Sequence, residues 1–302
     1  MQYRRPKKNI SGVLLLDKPL GYSSNQALQK IKLLYQAAKA GHTGTLDPLA
    51  TGLLPLCFGE ATKFAHFLTD ADKVYIATVK FGITTNTGDA EGQVLSVKDV
   101  NISKMQLEQV CSQFLGVISQ VPPMYSALKH EGKAMYEYAR AGVEIERASR
   151  AVTIHNIEIN AFDRDVATIT VKCSKGTYIR TLAEDIGAQI GCGAHLIGLR
   201  RTATANYHIN QAITIEQFEA MSVAQRALLL RPADSAVEHL PEITLDIDSA
   251  FYLQQGQAIL HSGNIPEGLI RLYNEQGEFL GLGEQQSDGK IAPKRLIVNK
   301  DL

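Results

Sequence analysis

Cysteine is scarce and scattered in this chain. Its four cysteines, Cys57, Cys111, Cys173 and Cys192, form no Cys-x-x-Cys pair and no matching Cys/His spacing, which argues against a metal site or a disulfide framework. Small buried hydrophobes are the expected role for them. No run of about 18 apolar residues occurs, so no membrane span is expected. The basic start, Met1-Gln2-Tyr3-Arg4-Arg5-Pro6-Lys7-Lys8, lacks the apolar stretch of a signal peptide, and a cytoplasmic protein is expected. An excess of one charge is missing too: 31 Lys and Arg face 31 Asp and Glu. That balance does not advertise nucleic-acid binding, so any such surface must be a local patch. There is also no phosphate loop, dinucleotide fingerprint or metal constellation, which leaves a metabolic small-molecule enzyme poorly supported.

What is present suits a globular protein. With 302 residues, 45% apolar and 21% charged, the chain can bury a sizeable core in one large domain plus a small one, or in two comparable ones. Val13-Leu14-Leu15-Leu16-Asp17-Lys18-Pro19 reads as a buried strand ended by proline. Ser23 or Ser24 can cap a helix bearing Leu28, Ile31, Tyr35 and Ala38. Lys73 to Phe81 and Val166 to Cys173 alternate as strands do. Residues 82–92 look like a turn-rich connection. Ser103 with Gln106 makes a capping box for a helix bearing Leu107, Val110, Cys111 and Phe114. Gly176 turns the chain into a helix with Ile179, Leu182, Ala183, Ile186 and Ile190 along one face. Beyond Pro232 and Pro241, from Phe251 onward, Gly263-Asn264, Asn274 to Gly277 and Asp288-Gly289 punctuate short strand candidates. They predict a small all-β module of about 55 residues.

The stretch from Gly41 to Gly52, Gly-His-Thr-Gly-Thr-Leu-Asp-Pro-Leu-Ala-Thr-Gly, places one carboxylate, Asp47, in a segment that cannot be an ordinary helix or strand. Its three glycines permit tight turns and close backbone approach, and Pro48 pushes Asp47 out of the α region. A short acid at a fixed angle on a loop is a good way to present a catalytic group. A surface Asx turn is the plain alternative. Residues 123–150 interleave Lys129, Lys133, Arg140, Arg147 and Arg150 with Tyr125, Tyr136 and Tyr138. Glu131, Glu137, Glu144 and Glu146 offset most of that charge, so this polar segment suits either RNA contact or a solvated helical hairpin. Arg180 falls in the first turn of its helix, where a cation meets the positive end of the dipole. Local rules are most often broken at functional or strained sites.

The Gly41–Gly52 stretch, followed by Leu53-Leu54-Pro55-Leu56, resembles the catalytic motif of the TruB family of RNA pseudouridine synthases, in which the Asp is essential. Lys73-Val74-Tyr75 resembles the family's second motif, whose Tyr stacks on the target base and handles a proton. Lys175-Gly176-Thr177-Tyr178-Ile179-Arg180 resembles the third, whose Arg pairs with the Asp. Within Gly198-Leu199-Arg200-Arg201-Thr202, Leu199 matches an apolar residue of the uracil pocket. His42 matches a residue that contacts the flipped nucleotide, and Lys18, in Leu16-Asp17-Lys18-Pro19, a mainly structural or phosphate-facing one. The segments 268–271, 280–284 and 294–298 resemble a PUA domain, a small RNA-binding β fold. Two departures stand out: many relatives carry a glycine before an aromatic where this chain has Ala205-Asn206-Tyr207, and the PUA-like module is short and not notably basic.

The resemblance implies an α/β (α+β) pseudouridine synthase fold, with a mixed, mainly antiparallel central sheet flanked by helices. It implies a catalytic domain over 1–245, an RNA-gripping insertion at about 123–150, and a PUA-like domain over 246–302. It implies isomerisation of uridine 55 in the tRNA T-arm loop, with Asp47, Tyr75 and Arg180 catalytic and His42, Leu199, Lys18 and Tyr178 binding substrate. The chemistry breaks one N-glycosidic bond and remakes a bond through carbon 5, so no metal or cofactor is expected. A monomer without guide RNA is expected, because the insertion and the short C-terminal module favour a stand-alone enzyme over a guide-RNA-dependent one. A tRNA-refolding protein is the alternative from another class. Taken singly, Tyr75 and Leu199 suit the core equally well, and His42 a satisfied loop.

Overall fold

The computed structural model describes residues 7–264 and 266–298. Most of the basic N-terminal stretch, residues 1–6, thus lies outside the described residues. A ten-stranded sheet forms the frame. Gly12–Lys18, Ala50–Phe58, Ala194–Thr204, Lys73–Phe81, Val166–Cys173, Arg150–Asp163 and Gly116–Gln120 lie side by side in that order, and Ile213–Thr214 flanks the first of them. Within this sheet, among the described residues, two pairings are parallel, Gly12–Lys18 with Ile213–Thr214 and Ala50–Phe58 with Ala194–Thr204. The expected mixed, mainly antiparallel sheet flanked by helices is what forms.

The alternating pattern of Lys73–Phe81 explains its place near the centre. Tyr75, Ala77, Val79 and Phe81 point inward and are buried, each large apolar side chain contributing about 1.5–3 kcal/mol by leaving water. The helix Ser24–Tyr35 starts with a complete capping box between Ser23 and Gln26. It ends at Tyr35 because Gln36 adopts φ 57, so Ala38 lies beyond it. Phe114 likewise falls past the helix Lys104–Ser112. Ile179–Ile190 buries Ile179, Leu182, Ala183 and Ile186 against the sheet. All four cysteines are buried and free.

Several expectations need correction. The Gly41–Gly52 stretch is not wholly loop: Gly41 and His42 end the short strand Ala40–His42, and Ala50, Thr51 and Gly52 open the strand Ala50–Phe58. Only residues 43–49 are irregular, since backbone pairing with Lys18 and Arg201 draws Gly52 into the sheet. Residues 82–92 contain the strand Ile83–Thr85, paired with Val94–Val97. Residues 123–150 form a β-hairpin, Lys129–His130 with Lys133–Ala134, then a single short helix, Met135–Arg140, rather than a helical hairpin.

The C-terminal module has a four-stranded sheet of Glu242–Leu245, Leu269–Asn274, Phe279–Gln285 and Ile291–Leu296. The boundary expected between residues 245 and 246 therefore falls after its first strand instead of before it. Phe251 sits on a helix, Ile247–Gln254, capped by Asp246, so the module is not purely β. Phe279 packs on Phe64 with ring centroids 5.5 Å apart, joining module and frame through a shared apolar cluster.

Candidate active site

Asp47 is held from behind. Ser24, the first residue of its helix, accepts a hydrogen bond from the Leu46 backbone nitrogen at 2.7 Å and donates one to the Leu46 carbonyl at 3.1 Å. Ala50 N closes a turn on the Asp47 carbonyl at 3.0 Å, and Gly21 N binds the Pro48 carbonyl at 2.9 Å. Gly44 takes φ 77 and Gly52 takes φ 100, conformations that glycine adopts without a Cβ penalty. At Gly52 a Cβ would stand 2.3 Å from the Arg201 carbonyl. The close approach that the glycines permit is therefore to a neighbouring strand.

Arg180 meets this loop from the helix Ile179–Ile190. Its Nη2 lies 3.0 Å from Asp47 Oδ2 and its Nη1 lies 3.3 Å from Asp89 Oδ2. The guanidinium also donates to the carbonyls of Thr87 and Tyr125. The side chains of Arg180 and Asp89 are 6% and 4% exposed, against 38% for Asp47. One carboxylate thus anchors the arginine inside the protein, and the other faces the cleft. Two carboxylates and two carbonyls offset the unfavourable place of a cation in a first helical turn. Gln120, buried on the Gly116–Gln120 strand, grips the Tyr178 backbone from both sides: Tyr178 N donates to Gln120 Oε1 at 3.1 Å and Gln120 Nε2 donates to the Tyr178 carbonyl at 3.3 Å.

A cavity of about 320 Å³ opens over these groups, lined by Asp47, Tyr75, Tyr178, Arg180, Leu199 and Arg201 among others. Five of the seven residues singled out from the sequence therefore converge on one space. His42 and Lys18 do not line it. Lys18 is fully buried and donates to the carbonyls of Pro19 and Tyr22, which suits a structural part and not a phosphate-facing one. Burial brings its ammonium down to about 8, opposed by the Asp47 charge. Burial also lowers the His42 imidazole, with the Arg201 charge adding to it, and His42 Nδ1 is buried without a partner.

Burial pushes the Asp47 carboxyl above the usual range; Arg180 opposes that push, Asp89 adds to it and Lys18 subtracts. The result is a carboxylate stripped of much of its water but held by a cation, as a nucleophile or base requires. Burial likewise raises the Tyr75 phenol, chiefly against Arg201. Ser126, Ala127 and Leu128, at the root of the 123–150 segment, form one wall of the cavity. Further out, that segment pairs cations with rings: Lys133 over Tyr138 at 4.9 Å and Arg140 over Tyr136 at 5.4 Å. Among the described residues no group of three His, Cys, Asp or Glu side chains is placed to hold a metal ion.

Asp89 and Arg201 were not singled out from the sequence. Asp89 is one of several polar residues in the turn-rich segment 82–92, and nothing in the local sequence distinguishes Arg201 from its neighbour Arg200. An arginine in a first helical turn was a signal that an acid had to be found for it.

Residues 32–179 match the family model described as TruB family pseudouridylate synthase, N-terminal domain. Residues 180–238 match tRNA pseudouridylate synthase B C-terminal domain, and 241–297 match pseudouridine synthase II TruB, C-terminal. The chain is 62% identical over 297 residues to a tRNA pseudouridine synthase B of Methylobacillus flagellatus, covering 98% of each. It is 54% identical over 300 residues to that of an Azoarcus species, covering 99% of each. Among solved structures, a Cbf5-Nop10-Gar1 complex contains a chain that aligns with TM-score 0.74 and 25% identity, over 96% of this chain and 86% of that one.

Proposed function

Because the chain belongs to the TruB family of pseudouridylate synthases, we propose that it isomerises uridine 55 in the T-arm loop of tRNA to pseudouridine, alone and without a guide RNA. The observation that carries this reading is the Asp47–Arg180 ion pair of 3.0 Å beside Tyr75 in one cavity. Three groups of the right types come from three distant segments: a desolvated carboxylate, a cation to keep it ionised, and an aromatic platform.

In this mechanism the target uridine leaves its stack, at a cost of a few kcal/mol. Stacking on Tyr75 returns about 1–3 kcal/mol. Leu199 supplies an apolar side to the base site, and Tyr178 closes it. Asp47 acts on the ribose as nucleophile or base, the N-glycosidic bond breaks, the uracil turns, and carbon 5 bonds to the ribose. The 123–150 segment, with its exposed lysine, arginine and tyrosine side chains, grips the T-stem loop by shape and by splayed bases. The C-terminal module, PUA-like and starting at Glu242, adds RNA contact. The protein acts in the cytoplasm as a monomer. Its relatives' names place tRNA among their substrates, and those relatives are matched over nearly their full length.

The test is pseudouridine mapping of an unmodified tRNA transcript incubated with purified protein and nothing else. Conversion at a single T-loop uridine by the wild type and none by Asp47→Asn is expected. A folded wild type that binds the transcript without converting it would overturn the reading in favour of a guided enzyme or a binding protein.

A further inference from the structure

Arg201 is fully buried and lines the cavity. Its Nε donates to the Leu53 carbonyl at 2.7 Å and its Nη2 to the Gly44 carbonyl at 3.2 Å, while Nη1 is buried without a partner. Asp47 is taken by Arg180 and Asp17 by Arg200; among the described residues no carboxylate pairs with Arg201. A buried donor left unmade costs about 1–3 kcal/mol, and an unpaired buried charge costs more. Of the other buried cations lining the cavity, Arg180 is held by two carboxylates and two carbonyls, and Lys73 donates to the carbonyls of Leu68, Thr69 and Ala71. Among the buried cations of this lining, Arg201 alone keeps an unmatched donor, although the half-buried Arg150 and the Ser126 hydroxyl at the cavity wall also carry an unpartnered atom.

Strand register sets Arg201 directly across from Tyr75, a spacing at which facing side chains interact. The Arg201 charge is also the strongest influence opposing burial at the Tyr75 hydroxyl. Gly44 carries no side chain; a Cβ there would stand 3.3 Å from Nη1, crowding the free edge of the guanidinium.

We propose that Arg201 is a positioning residue that acts through Tyr75, its Nη1 donating to the Tyr75 hydroxyl oxygen as the base enters and aiming that oxygen at the uracil ring. The inference rests on the reaction proposed above. After carbon 5 has bonded to the ribose, carbon 5 loses its proton and nitrogen 1 gains one, with no net change in electrons. The Tyr75 oxygen is the group that carries this proton. A donor that stays protonated at every working pH keeps that oxygen oriented in either of its protonation states.

Single-turnover rates on a T-arm RNA would be measured for wild type, Tyr75→Phe, Arg201→Met and the double variant. Arg201→Met is expected to slow the wild type about 100-fold, the scale of one assisted proton transfer, but the Tyr75→Phe protein less than about threefold, because both changes remove one function. RNA deuterated at carbon 5 of the target uridine should show a larger isotope effect with Arg201→Met than with wild type. Arg201→Lys, which keeps the charge without the fork, supplies the same cycle if the methionine variant does not fold. Losses that multiply across the two sites, with an unchanged isotope effect, would overturn the inference and leave Arg201 as a scaffold for the Gly44 and Leu53 carbonyls. No conversion by wild type would instead bring down the functional reading, and this inference with it.

Discussion

Asp89 holds Arg180 through Nη1 at 3.3 Å, which leaves Nη2 to reach Asp47 at 3.0 Å. The loop carrying Asp89 is itself braced: the Thr87 hydroxyl donates to Asp89 Oδ1 at 2.6 Å and Glu91 N donates to the same oxygen at 3.1 Å. The acid in the cleft therefore depends on an acid in the interior for the aim of their shared arginine.

Replacing Asp89 with Ala should free Arg180 from that anchor. If Asp47 and Arg180 act as proposed, turnover falls about 100-fold, the effect of misplacing a group at a reacting centre by about 1 Å. Breaking a buried pair also costs about 3–5 kcal/mol of stability. Single-turnover kinetics together with thermal unfolding would check both losses, and Asp89→Asn should fall between the wild type and Asp89→Ala in each.

Arg180 also sets the pH range in which Asp47 is ionised. The Asp47 carboxyl already lies above the usual carboxylate range because of burial, and Arg180 is the main influence pulling it down. Removing the guanidinium, as in Arg180→Met, leaves burial less opposed, so the pKa rises further. Ionised Asp47 is lost as pH falls through that pKa, so the acid limb of the rate profile should move to higher pH. An acid limb that stays in place, or moves lower, would show that Arg180 does not act on Asp47's charge.

The glycines of the Gly41–Gly52 stretch should differ sharply in what they tolerate. Gly52→Ala meets the Arg201 carbonyl at 2.3 Å and places a side chain at φ 100. A loss of several kcal/mol in stability is expected, from strain and from separation of the two strands. Gly41→Ala has nothing within 4 Å of the new carbon and should change stability by less than about 0.5 kcal/mol. Denaturant midpoints of the two variants would separate them.

Ala205 sits at φ 51 in the turn between the strands Ala194–Thr204 and Tyr207–His208. This is the position near which many relatives were expected to carry glycine. A left-handed alanine costs roughly 1–2 kcal/mol, while glycine loses about 0.5–1 kcal/mol in unfolded-chain entropy. Ala205→Gly is thus expected to raise the melting temperature slightly and to leave turnover unchanged. A lower melting temperature would mean that the turn is not strained in the way its φ indicates.

Much of the frame was legible because it is written in local patterns. Lys73–Phe81 and Val166–Cys173 appeared with their bounds intact, since alternation is a period-two signal that needs no partner to be read. The capping boxes at Ser23 and Ser103 were equally local. Less visible were the strands Ile83–Thr85 and Lys129–His130 and the helix Ile247–Gln254, each too short for a period to emerge. The reach of the sheet into the Gly41–Gly52 stretch was hidden as well, because pairing of Gly52 with Lys18 and Arg201 joins residues far apart in the chain.

By itself, the amino-acid order determined the family, the strands of the frame, and the three chemical types at Asp47, Tyr75 and Arg180, because motif and periodicity are properties of neighbouring residues. Tertiary structure alone decided which acid anchors Arg180, that Lys18 is enclosed among carbonyls, and that Arg201 faces Tyr75 with a donor unmatched. Those facts depend on the removal of water and on side-chain direction, and the Arg180–Asp89 and Arg201–Tyr75 relations join residues that sequence keeps 90 or more positions apart.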